Sequence, residues 1–279
     1  MGQSRATCVA LLLGLGAASL PAPSTASDEV IPFREAWGWA VVVPVEVGGS
    51  GVHEFLLDTG TTSTLLEPGL ATELGIVVSS RANLITLAGA RAVALGRADL
   101  TLGRARLADV EVMIADLPAI RSDEPRVRGL LGQSALSRLE YTIDHARRRL
   151  VVHRWQSEAS SPEPQARPTL EVRLGCGRST ARFVLDSGVG TPILFERTNR
   201  PLDVEVGGRV HAATNAGHGV WREGRLSSLC VAGRRMDRLP VVVRPEAAPA
   251  REEDGLLPSR FFARVRLGVA GIVVGVDHW

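Results

Sequence analysis

Lysine is absent: all 32 basic residues are arginine. That excludes any mechanism needing a Schiff-base amine or a phosphate-loop lysine. Tyrosine occurs once, at Tyr141, and aromatic residues make up 4% of the 279 positions. The six histidines (His53, His145, His153, His211, His218, His278) fall in no H-x-x-x-H or comparable spacing, and there is no C-x-x-C. No metal centre and no cofactor are therefore expected. G-x-S-x-G is missing too, because Gly49-Ser50-Gly51 runs straight into Val52. Charge of one sign is scarce, with a formal net charge of +2. A whole-chain field drawing in nucleic acid or anionic lipid is excluded. The 45% hydrophobic content is ample for packed cores and excludes wholesale disorder.

Long apolar runs are confined to the N-terminus. Arg5 precedes an apolar stretch from Cys8 to Leu20, and the small residues Ser24-Thr25-Ala26 follow. Residues 1–26 read as a signal peptide, which predicts an exported, periplasmic or secreted protein without stable membrane insertion. An uncleaved N-terminal anchor is the alternative. Cleavage leaves Cys176 and Cys230. An oxidising compartment permits a disulfide between them, and two separate buried thiols are the other reading.

The rest of the chain reads as all-β. Ala40–Val47 is a β-branched run, Gly48–Gly51 supplies a turn, and Val52–Leu57 is the return strand. Short apolar runs recur at Leu100–Leu102, Val110–Ile114 and Leu150–His153. Short helices are predicted over Pro68–Leu74 and Ser134–Leu139. Arg147-Arg148-Arg149 is read as a solvated run in a hairpin turn, and most histidines as surface or turn residues. Residues 156–168, polar and proline-rich, read as a linker between lobes at 27–155 and 169–279.

Those two lobes echo one another. Phe55-Leu56-Leu57-Asp58-Thr59-Gly60 recurs as Phe183-Val184-Leu185-Asp186-Ser187-Gly188, Ala88-Gly89 as Ala216-Gly217, and Gly129-Leu130-Leu131 as Gly255-Leu256-Leu257. Three landmarks in one order at a nearly constant offset point to a duplicated β domain.

The duplication singles out Asp58 and Asp186. Each ends an apolar strand and is followed by a hydroxyl residue, Thr59 or Ser187, that can brace the turn. The glycines Gly60 and Gly188 then allow an approach that a side chain would block. Two carboxylates brought together by a pseudo-twofold cannot both ionise easily, so they share one proton. One can then take a proton from water while the other polarises a carbonyl. A structural turn aspartate is the plain alternative for Asp186. Glu54, Glu67, Asp99 and Asp109 have no repeat-related twins and are read as surface charges.

The sequence resembles the retropepsin-like aspartic proteases in a two-lobed bacterial exported form. Asp58-Thr59-Gly60-Thr61-Thr62-Ser63 matches the D-T-G-[TSA]-[SAT] signature, and Val127-Arg128-Gly129-Leu130-Leu131-Gly132 the later apolar-glycine motif. The resemblance implies a bilobal acid-protease fold, with two β-barrel-like lobes and a cleft between them. It implies an Asp58/Asp186 dyad in an endopeptidase acting on a peptide or protein substrate as a monomer. It also implies flaps near Ala88-Gly89-Ala90 and Ala216-Gly217-His218. Two departures stand in the second lobe: Val189 after Asp186-Ser187-Gly188, and Pro258 where the first lobe has Gly132. They keep two alternatives open, a catalytically silent peptide-binding module and a dyad formed by Asp58 from two chains.

Overall fold

The computed structural model describes residues 28–87, 89–157, 166–196, 204–214, 217–245, 252–268 and 271–275. The expected signal peptide, Ala88, Ala216 and most of the expected linker lie outside them. In chain order the elements are β1 (Glu29–Pro32), β2 (Arg34–Ala36), β3 (Ala40–Val47), β4 (Val52–Leu57), β5 (Thr64–Leu66), α1 (Pro68–Glu73), β6 (Ser80–Thr86), β7 (Gly89–Leu102) and β8 (Ala105–Ile114). Then come α2 (Pro118–Arg121), β9 (Val127–Leu131), α3 (Gln133–Leu136), β10 (Leu139–Asp144), β11 (Arg149–Trp155), β12 (Thr169–Leu174), β13 (Thr180–Asp186) and β14 (Ile193–Phe195). The chain continues through β15 (Val204–Thr214), β16 (Gly217–Val231), β17 (Arg234–Arg244), β18 (Gly255–Pro258), β19 (Arg264–Gly268) and β20 (Gly271–Gly275). The class is all-β, and the architecture is bilobal.

Each lobe is built on one sheet, and the two sheets repeat. The first runs β2-β3-β4-β9-β5-β8-β7-β6 and the second β12-β13-β18-β14-β17-β16-β15. From β3 onward the two orders coincide strand for strand. In each, a parallel pairing sets an apolar-glycine segment beside the strand that carries the aspartate: Phe55 opposes Gly129, and Phe183 opposes Gly255. Neither glycine is replaceable, because a Cβ would fall 2.2 Å from the Phe55 ring and 2.5 Å from the Phe183 ring. A third sheet, β1-β11-β10-β19-β20, takes strands from both halves and joins the lobes. Alternation drives these strands: β8 shows inward Ala105, Leu107, Val110 and Val112 between exposed polar neighbours. The largest apolar cluster runs continuously through both lobes, from Val41, Val43, Phe55 and Leu57 to Phe183, Leu185 and Leu257.

Several local expectations shift. The helix at 134–139 shortens to α3, because Leu139 already begins β10. Glu67 is no surface charge. It caps α1, accepting from the amides of Gly69 and Leu70, and its half-buried carboxylate is held low by Arg128 and Arg121. Arg147 and Arg149 are not merely solvated, since both close on the buried carboxylate of Asp144. His145 is buried as well, its Nε2 3.1 Å from Ser259 Oγ and its amide donating to Ala263 across the lobe junction. Desolvation lowers its pKa to about 4. In the second lobe Cys176 and Cys230 form a disulfide with Cα atoms 5.1 Å apart, pinning the end of β16 to the β12–β13 turn.

Candidate active site

The two D-x-G turns meet on the axis between the lobes, and their hydroxyl residues interlock. Thr59 Oγ1 donates to the Leu185 carbonyl at 2.7 Å, and Ser187 Oγ donates to the Leu57 carbonyl at 2.6 Å. Each hydroxyl oxygen also accepts an amide from the other turn: Ser187 N to Thr59 Oγ1 at 3.0 Å, and Thr59 N to Ser187 Oγ at 3.1 Å. Both side chains are buried. Four bonds sealed from water, each crossing between lobes, fix the spacing of the turns far more tightly than apolar contact would.

That crossed brace presents the aspartates to one another. Gly60 lies against the Asp186 carboxyl, where a Cβ would fall 2.2 Å from Oδ2. Gly188 lies against Asp58 in the same way, with a Cβ 2.8 Å from Cγ. The two carboxyls therefore face each other, near enough that each bears on the other's titration. Asp58 Oδ1 accepts two backbone N–H groups, from Gly60 at 3.0 Å and Thr61 at 3.1 Å. Asp186 Oδ1 accepts one, from Gly188 at 2.6 Å.

Electrostatics follow from this inventory. Burial raises both carboxyls, Asp58 to about 6, where its two N–H donors limit the rise. Asp186 is held well above the ordinary carboxylate range by burial, joined by the Asp58 charge beside it. Two carboxyls buried this close share a proton, and two N–H donors against one favour the charge on Asp58.

Polar bracing behind the first turn is dense. Gln133 Nε2 donates to the Thr59 carbonyl at 2.9 Å, Gly132 N to Thr64 Oγ1 at 3.2 Å, and Ser134 Oγ to Thr64 Oγ1 at 3.0 Å. In the second lobe the equivalent segment is Pro258-Ser259, and Ser259 reaches His145 instead.

The aspartates sit in the floor of a cleft of about 550 Å³. Its walls are largely apolar: Leu56, Leu84, Met113 and Ile120 from the first lobe, and Val189, Ile193, Trp221 and Leu256 from the second. Trp37 and Trp39 stack at its rim with ring centroids 5.5 Å apart. Three of the five tryptophans in the chain thus line one surface. The β6–β7 hairpin reaches the cleft through Asn83, Leu84, Ile85, Thr86 and Leu87. Gly89 and Ala90, expected in that flap, begin the outgoing strand and do not line the cleft. In the opposing β15–β16 hairpin, Gly217 and His218 belong to β16, and among its described residues Trp221 lines the cleft.

Sequence reasoning missed Arg167. Linker composition hid it, yet it lines the cleft, pairs with buried Glu253 at 2.6 Å and holds Asp186 down somewhat. The tryptophan lining was equally silent, since nothing in Trp37-Gly38-Trp39 announces which way the rings face. Among the described residues, no three His, Cys, Asp or Glu side chains gather as a metal site would need.

Residues 43–135 match a family model described as aspartyl protease. The match contains the first D-T-G turn, the β6–β7 hairpin and the Gly-Leu-Leu-Gly segment, and lies wholly within the first lobe. No curated protein matches the chain.

Proposed function

We propose that this chain, whose first lobe is a retropepsin-like aspartyl-protease domain, is an exported endopeptidase that hydrolyses peptide bonds through Asp58 and Asp186 of a single polypeptide. One observation carries the reading: the two carboxyls face each other in a buried floor, and the turns holding them are bonded to each other through Thr59 and Ser187.

Water bound between the aspartates gives a proton to Asp58 as its oxygen attacks the peptide carbonyl carbon. Asp186 passes its proton to the carbonyl oxygen, so the tetrahedral intermediate is a neutral diol. Collapse breaks the C–N bond. The proton on Asp58 goes to the leaving nitrogen, and a diol proton returns to Asp186, restoring the starting state. Roles follow the N–H inventory: two donors suit Asp58 to carry charge, and one leaves Asp186 as the acid.

The sign of the pH dependence follows. Activity rises as Asp58 ionises near about 6 and falls as Asp186 loses its proton above that. The optimum lies above the ordinary carboxylate range, at mildly acidic to neutral pH. The long apolar cleft suits an extended peptide with apolar side chains near the scissile bond. Pairing of Asp58 with its copy in a second chain is disfavoured, since Asp58 already has Asp186 as its partner. The test is cleavage of an unfolded protein by the full-length chain exported from a host cell, with Asp58→Asn and Asp186→Asn alongside. Loss of cleavage in both supports the dyad, and full activity in Asp186→Asn overturns it.

A further inference from the structure

Arg244 closes β17 in the second lobe, and its position is unusual for a cation. Only 8% of it is exposed. Among the described residues no carboxylate pairs with it, and desolvation alone acts on its guanidinium, lowering its pKa. Its backbone is fixed: the Arg244 carbonyl accepts the Glu196 amide at 2.9 Å, and the residue sits beside Phe195 in the parallel β14–β17 ladder. The guanidinium lies 5.9 Å from the centre of the Phe195 ring. Its Nε donates at 2.8 Å to the carbonyl of Leu87.

Leu87 belongs to the other lobe. It is the first residue after β6, in the tip of the hairpin whose Asn83–Leu87 segment forms a wall of the cleft. Its side chain leaves its own lobe and packs against the second-lobe cluster of Val184, Ile193, Phe195, Trp221 and Leu256. The hairpin tip is therefore held from the far bank by one polar bond and one apolar contact. Desolvating a cation is costly, and hydrophobic residues of similar volume often replace buried charged groups without loss of stability. Among the described residues its one side-chain hydrogen bond is the one to the hairpin.

We propose that Arg244 is a positioning residue that latches the β6–β7 hairpin across the cleft, so that the substrate-binding wall formed by Asn83–Leu87 is held in place only while the Arg244–Leu87 bond is made. The inference rests on the peptide-cleaving reading of the cleft. The latch acts on substrate only through the hairpin, since Arg244 itself does not line the cleft. A bond from a charged donor, shielded by Phe195, shifts the closed–open balance by roughly ten- to a hundredfold.

Arg244→Met tests it, because methionine fills much of the same volume without a donor. Amide hydrogen exchange in the 80–95 segment should quicken roughly tenfold or more, while exchange in β3 stays unchanged. With an unfolded protein or apolar peptide as substrate, KM should rise roughly tenfold or more while kcat holds. A purely structural role would do otherwise, lowering apparent kcat with the folded fraction and leaving KM alone. Unchanged exchange in the 80–95 segment overturns the latch. Faster exchange with unchanged KM overturns its role in positioning. Should the wild type cleave no peptide, the proposed function fails, and exchange alone decides the latch. If Arg244→Met does not fold, Arg244→Lys must show the same directions, because a flexible ammonium does not reproduce the planar Nε donor.

Discussion

The two lobes share one strand order and one turn, yet they treat their aspartates differently. In the first lobe Asp58 has two backbone N–H donors, and the turn behind it is buttressed by Gln133, Thr64 and Ser134. In the second lobe Asp186 has one donor, Val189 follows where Thr61 stands in the first, and Pro258 replaces the Gly132 amide that bonds Thr64. The second lobe has its own staple instead, the Cys176–Cys230 disulfide. The two lobes share a backbone frame and differ in what surrounds it. In a symmetric pair the proton has no preferred owner; under the proposed mechanism the unequal hydrogen bonding favours Asp186 as its holder.

The largest expected effect breaks this comparison at its centre. Asp58→Asn and Asp186→Asn should each lower peptide hydrolysis by roughly 10²–10⁴-fold, measured as kcat/KM on one substrate. A loss confined to one variant would show that the lobes are not chemically paired.

Next comes the staple. The disulfide spans a sequence separation of 54 residues, and its removal in a Cys176→Ala/Cys230→Ala variant should lower unfolding stability by about 4 kcal/mol in denaturant titrations. The second lobe should loosen first in hydrogen exchange, which equal loss across both lobes would contradict.

Thr59→Val and Ser187→Ala sharpen the crossed brace. Each leaves a buried carbonyl and a buried amide of the opposite turn without its hydroxyl partner, so each should cost about 1–3 kcal/mol. Near-equal costs by chemical denaturation would show that the turns depend on one another symmetrically.

The smallest effect is the pH dependence of stability. Both aspartates have folded-state values raised above the unfolded range, so the native state binds more protons than the unfolded chain as pH climbs. Their contribution is present at low pH and is lost as pH rises through the raised values. Asp186→Asn should therefore lessen the fall in thermal stability between mildly acidic and alkaline pH. His145 runs the other way: its folded value is lowered to about 4, so its burial costs stability as pH falls from 6.5 towards 4.

Much of the frame was legible in the sequence because it is written in short, local patterns. Phe-x-Leu-Asp-[Thr/Ser]-Gly combines an alternating apolar strand with a glycine that only a close approach explains, and its recurrence fixed the pairing of Asp58 with Asp186. Gly129 and Gly255 were landmarks for the same reason, each lying under a phenylalanine ring. What stayed hidden depends on contacts between distant segments. Arg167 sits in linker-like composition, and only the folding of its segment against Asp186 and Glu253 takes it into the cleft. Glu67 looked like a surface charge because its partners, Arg121 and Arg128, lie more than fifty residues on. The flap was expected at Ala88-Gly89-Ala90 because a glycine marks the turn, and composition gave no sign that Asn83–Leu87, leading into that turn, would form the wall of the cleft.

The central claim is that one proton is shared unequally between two facing carboxyls. Titration of the wild-type chain by ¹³C NMR, with aspartate side chains labelled at Cγ and assigned through the two asparagine variants, tests it directly. The account predicts two well-separated steps, both above the ordinary aspartate range, with Asp58 ionising first and Asp186 later. Two independent titrations near the ordinary value would contradict it.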